Sequence, residues 1–298
     1  MSIKVENITK IYGKQHALKN VSFEVSSGEI VGFLGPNGAG KSTMMKILTC
    51  YLPQTSGKAS VCGYDVERES MEVKKQVGYL PEHNPLYLEM YVKEYLSFIG
   101  GLHGIKKIQN RVKEMIAITG LELEQSKKIG ALSKGFRQRV GLAQALIHDP
   151  KVLIMDEPTT GLDPNQLDEI RGLIKRVGKE KTVLLSTHIM QEVEAVCDRI
   201  VIINLGEIKA DGKIESLKSQ TERKYLHIEL DKVFDLKQIK SIAGIIEAKT
   251  TDGKRWQITS EADIRKEIFK FMVDHDATVL QMNIQEQKME DVFREKTK

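Results

Sequence analysis

A glycine-rich loop between a short apolar run and a helix-forming run most limits how this chain can fold. Residues 29–34 (EIVGFL) have the character of a buried strand, and residues 35–43 (GPNGAGKST) follow at once. A helix is expected from Lys41 to about Tyr51. Glycines let backbone N–H groups converge on phosphate oxygens, and the N-terminus of the following helix adds a favourable dipole. This order predicts an α/β domain with a phosphate-binding loop.

The loop fits the pattern G-x-x-x-x-G-K-[ST]. Lys41 would neutralise charge on the β- and γ-phosphates of a nucleotide, and the Ser42 hydroxyl would bind Mg²⁺. A glycine-rich turn that only caps a helix is the plainer alternative, and the strand before the loop and the helix after it disfavour that alternative. The expected nucleotide-binding residues are Gly35, Pro36, Asn37, Gly38, Ala39, Gly40, Lys41, Ser42 and Thr43.

A second apolar run ends in two carboxylates. Val152 to Met155 (VLIM) is followed directly by Asp156 and Glu157. Ligands bind at the carboxyl edge of parallel sheets, where such strand ends meet. Asp156 could hold Mg²⁺, directly or through water, and Glu157 could polarise an attacking water. An Asp-Glu pair after a strand is usually a solvated turn, but beside a phosphate loop the functional interpretation is favoured.

Length and charge limit the class of protein. A chain of 298 residues can form one large domain and a small one. Its 45 basic and 41 acidic residues give a net charge of +4, which argues against a nucleic-acid-binding face built on bulk charge. Cys50, Cys62 and Cys197 lack metal-ligand spacing and are expected to be reduced thiols. No apolar run is long enough for export or for a membrane span, so any membrane role is expected to come through a partner.

The pattern along the chain predicts two domains. Residues 1–30 alternate as an antiparallel hairpin, and residues from about 86 to 148 are helical. Strand–helix alternation then resumes, which implies a mainly parallel sheet with helices on both faces. Beyond residue 219 the order β-α-β-β-α-β, with a turn at Asp252-Gly253, matches the ferredoxin-like pattern. We therefore expect a domain at 1–219, with a helical subdomain at about 86–148, and a small α+β domain at 220–298.

Ser133 is expected to cap a helix that runs to Ile147. The first turn of that helix would present the Gly135 N–H, the Ser133 hydroxyl and a positive dipole to an anion. On local sequence alone, a simple capped surface helix is the better interpretation.

Residues 1 to about 215 resemble an ATP-binding cassette (ABC) ATPase. The resemblance is carried by the phosphate loop, by LSKGFRQR at 132–139, by the Asp-Glu pair and by LLSTH at 184–188. In that family two cassettes sandwich ATP head to tail, so the signature helix of one subunit completes the site of the other. The resemblance implies that Ser133 and Gly135 contact the partner's γ-phosphate and that His188 contacts the γ-phosphate of its own subunit. It also implies that Asp163, in Gly161-Leu-Asp163-Pro, lies in the loop that joins the two sites.

Several positions depart from the family pattern or allow two interpretations. Lys134 and Phe136 replace a glycine and a glutamine of the LSGGQ-type signature. Glu82 occupies the place of the family's glutamine; a carboxylate can bind Mg²⁺ or water but adds negative charge near the γ-phosphate. Tyr12 resembles the aromatic that stacks on adenine, and otherwise it is a strand-edge aromatic. Residues 86–91 (LYLEMY) could dock a helix of a membrane subunit or belong to the core of the helical insertion.

The resemblance implies an ATP-hydrolysing subunit that powers a membrane ABC transporter, similar to those of ABC-2-type exporters and to the gliding-motility-associated branch. Glu157, His188 and Lys41 would be catalytic, and Ser42, Asp156 and Glu82 would bind Mg²⁺. The implied partners are a second cassette and an integral membrane permease, at the cytoplasmic face of the membrane, with no nucleic acid.

A soluble ABC ATPase acting on ribosomes or nucleic acid is the alternative, but such proteins usually carry two cassettes or long coiled-coil insertions, and neither is visible. A regulatory nucleotide sensor is a third possibility, against which the intact Glu157 and His188 argue.

Overall fold

The computed structural model describes residues 1–219, 224–285 and Phe293, so that residues 220–223, 286–292 and 294–298 of the expected second domain lie outside the described residues. The chain divides into two units, Met1–Ile214 and Glu215–Glu295. This division falls a few residues before position 219, where the sequence pattern changes.

The first unit alternates strands and helices. Up to the helical region its elements are β1 (Ile3–Tyr12), β2 (Gln15–Val25), β3 (Ile30–Leu34), α1 (Lys41–Leu48), β4 (Ser56–Val61), β5 (Tyr64–Asp65), α2 (Ser70–Gln76) and β6 (Val77–Leu80). Then follow α3 (Val92–Leu102), α4 (Ile108–Thr119), a short 3-10 helix (Ile129–Ala131), α5 (Lys134–Leu146), β7 (Val152–Asp156), α6 (Pro164–Gly178), β8 (Thr182–Thr187), α7 (Met190–Val196), β9 (Arg199–Asn204) and β10 (Glu207–Lys213).

The N-terminal strands form an antiparallel sheet in the order β2-β1-β4-β5. Ile3, Val5 and Ile8 of β1 are buried, while intervening residues such as Glu6 are exposed. This alternation buries one face of the sheet and leaves the other toward solvent, as the sequence pattern predicts.

The central sheet has the order β10-β9-β3-β8-β7-β6. Its neighbouring strands pair in parallel, except that β10 is antiparallel to β9. Every residue of β3 and β7 is buried, because helices cover both faces of a parallel sheet. In the register of the sheet, Leu34 lies beside Thr187, and Asp156 lies beside Ser186. The loops that follow β3, β7 and β8 therefore begin at one edge.

The helical region between β6 and β7 contains α3, α4 and α5. Helix α5 begins after Ser133, whose Oγ accepts a hydrogen bond from the Phe136 N–H at 3.4 Å, as expected for a cap. Arg111 on α4 donates to the carbonyl oxygens of Leu146 and Ile147 at 2.7 and 2.8 Å, which ties α4 to the end of α5. Within the described residues, no helix is both long and apolar enough to cross a membrane.

The end of α5 is also fixed against the sheet through His148. Its Nε2 lies 3.0 Å from the Val77 carbonyl oxygen, and its ring stacks on His103 with 4.2 Å between centroids. Burial, assisted by His103, lowers the pKa of His148 to about 4, so the imidazole is neutral at neutral pH. Because a carbonyl oxygen can only accept, Nε2 carries the ring hydrogen and donates a hydrogen bond to the Val77 carbonyl oxygen.

The second unit follows α8 (Ile214–Ser219), which crosses the division between the units. Its elements are β11 (Lys224–Leu230), α9 (Leu236–Lys240), β12 (Ile245–Thr250), β13 (Arg255–Ser260), α10 (Arg265–Asp274) and β14 (Val279–Gln285). The sheet order β12-β13-β11-β14, antiparallel throughout, confirms the predicted ferredoxin-like domain. One face of the sheet packs on α9 and α10 through a core that includes Leu226, Trp256, Ile258 and Ile268.

The stability of the second unit can be followed separately, because the only tryptophan of the chain, Trp256, lies in its core. Ile258 is fully buried beside it, whereas Gln257 on the same strand is exposed. Ile258→Ala should lower the free energy of unfolding by about 2–5 kcal/mol, because it leaves a cavity. Gln257→Ala should change it by less than about 0.5 kcal/mol. Urea denaturation followed by tryptophan fluorescence measures both, and equal shifts would contradict this description of the core.

Candidate functional site

A cleft of about 510 Å³ opens at the edge of the central sheet where β3, β7 and β8 end. It contains most of the phosphate loop and reaches the end of β1. The lining residues are Tyr12, Gln15, Ala17, Asn37, Gly38, Gly40, Lys41, Ser42, Thr43, Glu82, Glu157, Thr160 and His188.

The phosphate loop has a backbone that only glycine can provide at two points. Gly40, at the start of α1, has a φ of 108°, and a Cβ there would lie 2.5 Å from the Ala17 carbonyl oxygen. A Cβ on Gly35 would overlap the Ile203 carbonyl oxygen. These glycines let the loop turn tightly against β2 and β9 before α1 begins.

Lys41 is buried at the base of this loop, with 6% of its surface exposed. Its ammonium donates to the carbonyl oxygens of Gly35 and Pro36 at 2.7 and 3.2 Å, and it lies 3.3 Å from Oε1 of Glu157. An ammonium has three donors, so every donor has a partner within the chain. A phosphate that binds Lys41 would therefore have to replace at least one of these three contacts.

Asp156 ends β7 and is 2% exposed. Its Oδ1 accepts hydrogen bonds from Ser42 Oγ at 3.1 Å and from Ser186 Oγ at 2.5 Å. The carboxylate and the Ser42 hydroxyl form a set of hard oxygen atoms, which is the donor chemistry that Mg²⁺ prefers. The two residues expected to share a metal are thus brought together. Sequence reasoning missed Ser186, whose only signal is its place at the end of β8, two residues before His188.

Glu157 stands at the centre of the site. Its backbone has a φ of 49°, a strained conformation for a residue with a side chain. Its amide donates to both the Oγ and the carbonyl oxygen of Ser186 at 3.1 Å. Its carboxylate accepts hydrogen bonds at Oε2 from His188 Nδ1 at 2.8 Å and from Thr160 Oγ1 at 3.2 Å. The structure therefore brings together the three residues predicted to be catalytic, and it adds Thr160, which sequence reasoning missed.

Tyr12 and Glu82 lie at the rim of the cleft. Tyr12 is 45% exposed and lines the cleft, and Lys10 Nζ lies 5.2 Å from the centroid of its ring. Glu82 is also partly exposed, and His83 Nδ1 lies 4.0 Å from its carboxylate. Behind them, burial and then the charge of Asp156 raise the pKa of Tyr79, so this phenol stays neutral beside the carboxylates.

Ser133, Gly135 and Asp163 are not among the described residues that line this cleft. Gly135 packs closely against the Gln166 side chain, and Asp163 caps α6 by accepting from the Gln166 N–H at 3.0 Å. Lys134, the departure from the signature, places its ammonium against Gly161. Within one chain, these residues lie outside the cleft, at the start of α5 and in the loop before α6; Ser133 and Asp163 are exposed, whereas Gly135 is buried.

Comparison with known proteins assigns both units. The ABC transporter family model matches residues 18–160, and the model described as "ATP-binding protein DrrA1-3-like, C-terminal domain" matches residues 212–297. The uncharacterized ABC transporter ATP-binding protein YxlF of Bacillus subtilis is 39% identical over 249 residues, which cover 83% of this chain and 80% of YxlF. The chain belongs to the ABC transporter ATP-binding proteins. It binds ATP and hydrolyses it.

Other comparisons extend over more of the chain or over the fold. The bacitracin transport ATP-binding protein BcrA of Bacillus licheniformis is 33% identical over 301 residues, covering 98% of this chain and 95% of BcrA. A solved dimeric ATP-binding cassette with ADP and Pi bound, in a post-hydrolysis state, matches with a TM-score of 0.66 and 27% identity. That match covers 71% of this ABC protein and 98% of the solved chain.

Proposed function

We propose that two copies of this chain bind two ATP molecules at their shared interface and drive an export permease at the cytoplasmic face of a membrane. The observation that carries this proposal is the Glu157 carboxylate, which contacts both Lys41 and His188 at the edge of the phosphate-loop cleft. This arrangement places a base beside two groups that can stabilise charge on a transferring phosphoryl group.

Glu157 is the proposed general base. Water attacks the γ-phosphorus while the bond from that phosphorus to the bridging β-phosphate oxygen breaks and ADP leaves; the Glu157 carboxylate orients the water and accepts its proton. Lys41 exchanges the carbonyl oxygens of Gly35 and Pro36 for phosphate oxygens, which are stronger acceptors because they are charged. His188 donates to Glu157 in this structure and, in the proposed mechanism, contacts the γ-phosphate.

Ser42 and Asp156 are the proposed Mg²⁺ ligands, because their oxygen atoms already lie together in the cleft. Glu82, which lines the same cleft, is the proposed third oxygen donor. When bound, Mg²⁺ neutralises part of the charge of the phosphates and orients them. Tyr12 is exposed and is proposed to stack its ring on adenine.

The second copy would supply the residues at the start of α5 that do not line the cleft of their own chain. Ser133 and Gly135, at the start of α5, would face the γ-phosphate bound to the partner, where a helix N-terminus attracts an anion. Asp163 would lie between the two sites, at the start of α6. One chain alone then has no complete site, and dimer formation becomes part of the reaction.

The proposed permease contact lies on residues 86–91. Leu86 is buried in the helical region, whereas Tyr87, Leu88 and Tyr91 are each about half exposed. The Tyr87 ring packs against Phe98, with centroids 5.9 Å apart, which extends the apolar surface onto α3. The segment is thus partly core and partly open surface, and an exposed apolar patch of this kind fits a protein partner.

Export is supported by relatives whose names include bacitracin transport and Nod factor export. The soluble alternative has no such support among the similar proteins.

Glu157→Gln tests the proposed base with almost no change in shape. Turnover should fall by a factor of about 10² or more, because an amide cannot act as a base, while ATP binding remains. Steady-state ATPase assays and size-exclusion chromatography with ATP measure the two effects, and the variant should accumulate as an ATP-bound dimer. Hydrolysis at the wild-type rate would show that Glu157 is not the base.

Leu88→Asp tests the proposed docking surface. In cells, the variant should be lost from the membrane fraction, because a charge is costly in an apolar interface, while the ATPase activity of the purified protein is unchanged. Leu123→Asp is the matched control, since Leu123 is 89% exposed and lies outside this surface. Recovery of wild-type protein with ribosomes and without an integral membrane protein would contradict the transporter proposal.

A further inference from the structure

A buried carboxylate outside the cleft connects the two loops that carry Glu157 and His188. Glu192, on α7, is 2% exposed. Its Oε1 accepts a hydrogen bond from Thr159 Oγ1, and its Oε2 accepts one from Thr187 Oγ1 at 2.6 Å. Thr159 lies two residues after Glu157, and Thr187 immediately precedes His188. Glu192 thus joins the loop after β7 to the last residue of β8, next to His188.

The position of Glu192 is not explained by packing. A buried carboxylate costs free energy unless it is hydrogen-bonded, and an apolar side chain would fill the same space without that cost. Each of its two oxygens accepts from one threonine hydroxyl, so a single side chain holds both hydroxyls in place. Thr187 Oγ1 also accepts a hydrogen bond from the Ile189 N–H at 3.0 Å. Its own hydrogen is therefore directed to Glu192, and the orientation of this contact is fixed.

These contacts form a closed ring of residues that includes the proposed base: Glu157, Thr160, Thr159, Glu192, Thr187 and His188. Thr160, the neighbour of Thr159, and His188, the neighbour of Thr187, both donate to Oε2 of Glu157. Glu192 closes this ring on the side opposite Glu157, by accepting from Thr159 and Thr187. A strained backbone such as that of Glu157 persists only where its surroundings determine it from several sides, and the ring supplies that support.

The ring is also connected to the loop that would face a second copy. Thr159 is followed by residues 160–162 and then by Asp163, whose side chain caps α6. Three residues separate Thr159 from Asp163, and Glu192 connects Thr159 to Thr187, the residue before His188.

We propose that Glu192 is a positioning residue for ATP hydrolysis. It holds Glu157 and His188 in a fixed position relative to the loop that carries Asp163. The proposal rests on the proposed roles of Glu157 and His188. Glu192 is not among the described residues that line the cleft, and it acts only through Thr159 and Thr187.

Three variants of the full-length chain test the proposal: Thr159→Val, Thr187→Val and Glu192→Gln. The valine variants keep the shape of each side chain and remove one hydroxyl each. Each variant should lower kcat by between about tenfold and a hundredfold, since small misplacements of a catalytic group cost this much. KM for ATP should stay within about threefold, because the effect falls on the chemical step and not on binding. Thr119→Val is the matched control, since Thr119 is equally buried and donates only to the Met115 carbonyl oxygen of its own helix.

Turnover is measured per folded molecule, with thermal unfolding recorded for each variant. Unchanged kcat in both valine variants would overturn the proposal, as would losses that follow only a lowered melting temperature. The same substitutions in a Glu157→Gln background should cause a smaller loss of the residual turnover than in the wild-type background, because the part of the effect that acts through Glu157 is already removed. A further loss of the same size there would contradict the positioning role. If Glu157→Gln itself hydrolyses like wild type, the proposed base fails; if it is inactive and the valine variants are not impaired, only the Glu192 proposal fails.

Discussion

The parallel register of β3, β8 and β7 is the constraint on which the rest of this structure depends. It sets Leu34 beside Thr187 and Asp156 beside Ser186, so three loops begin at one edge of the sheet. A shift of one residue would turn every side chain of a strand to the opposite face. Both faces of these strands are buried, so a shifted strand would have to repack against the layers on both sides, and it would break the hydrogen bond between Asp156 and Ser186 at the sheet edge. The phosphate loop, Glu157 and His188 meet because apolar packing fixes the strands that precede them.

Charge balance in the cleft follows from that arrangement. Lys41, Asp156 and Glu157 are all nearly buried, and each has hydrogen-bonding or ionic partners within the chain. Buried charges that lose a partner are strongly unfavourable, so a phosphate entering the cleft must exchange partners with these groups. In the proposed dimer, Mg²⁺ and the partner's helix N-terminus offset the repulsion between the γ-phosphate and Glu157. Hydrolysis would then require the metal, the nucleotide and the second chain together.

Much of the fold was predictable because its signals are local. The strand–loop–helix around Lys41, the cap at Ser133 and the β-α-β-β-α-β order are each set by a few neighbouring residues. Helix ends were less accurate: α1 ends at Leu48 and not near Tyr51, because the chain turns back there through the Cys50 and Leu52 amides onto the last turn. The contacts of Ser186 and Glu192 were missed because each joins loops that only the strand register brings together. Ser186 lies 30 residues from its partner Asp156, and a lone serine at a strand end has no distinctive pattern. The roles of the individual site residues in binding and hydrolysis remain predictions.

Complementation between two defective chains tests most directly whether each ATP site is shared. Lys41→Ala removes the phosphate-loop cation, and Ser133→Asp, at an exposed position that aspartate can also cap, adds a carboxylate where the proposed dimer would bring the partner's phosphate. Neither variant should hydrolyse ATP alone, whereas a mixture forms heterodimers in which one site has an intact phosphate loop and an intact partner helix. The account predicts that the mixture regains ATPase activity that neither chain has by itself. A mixture no more active than the sum of its components would contradict it.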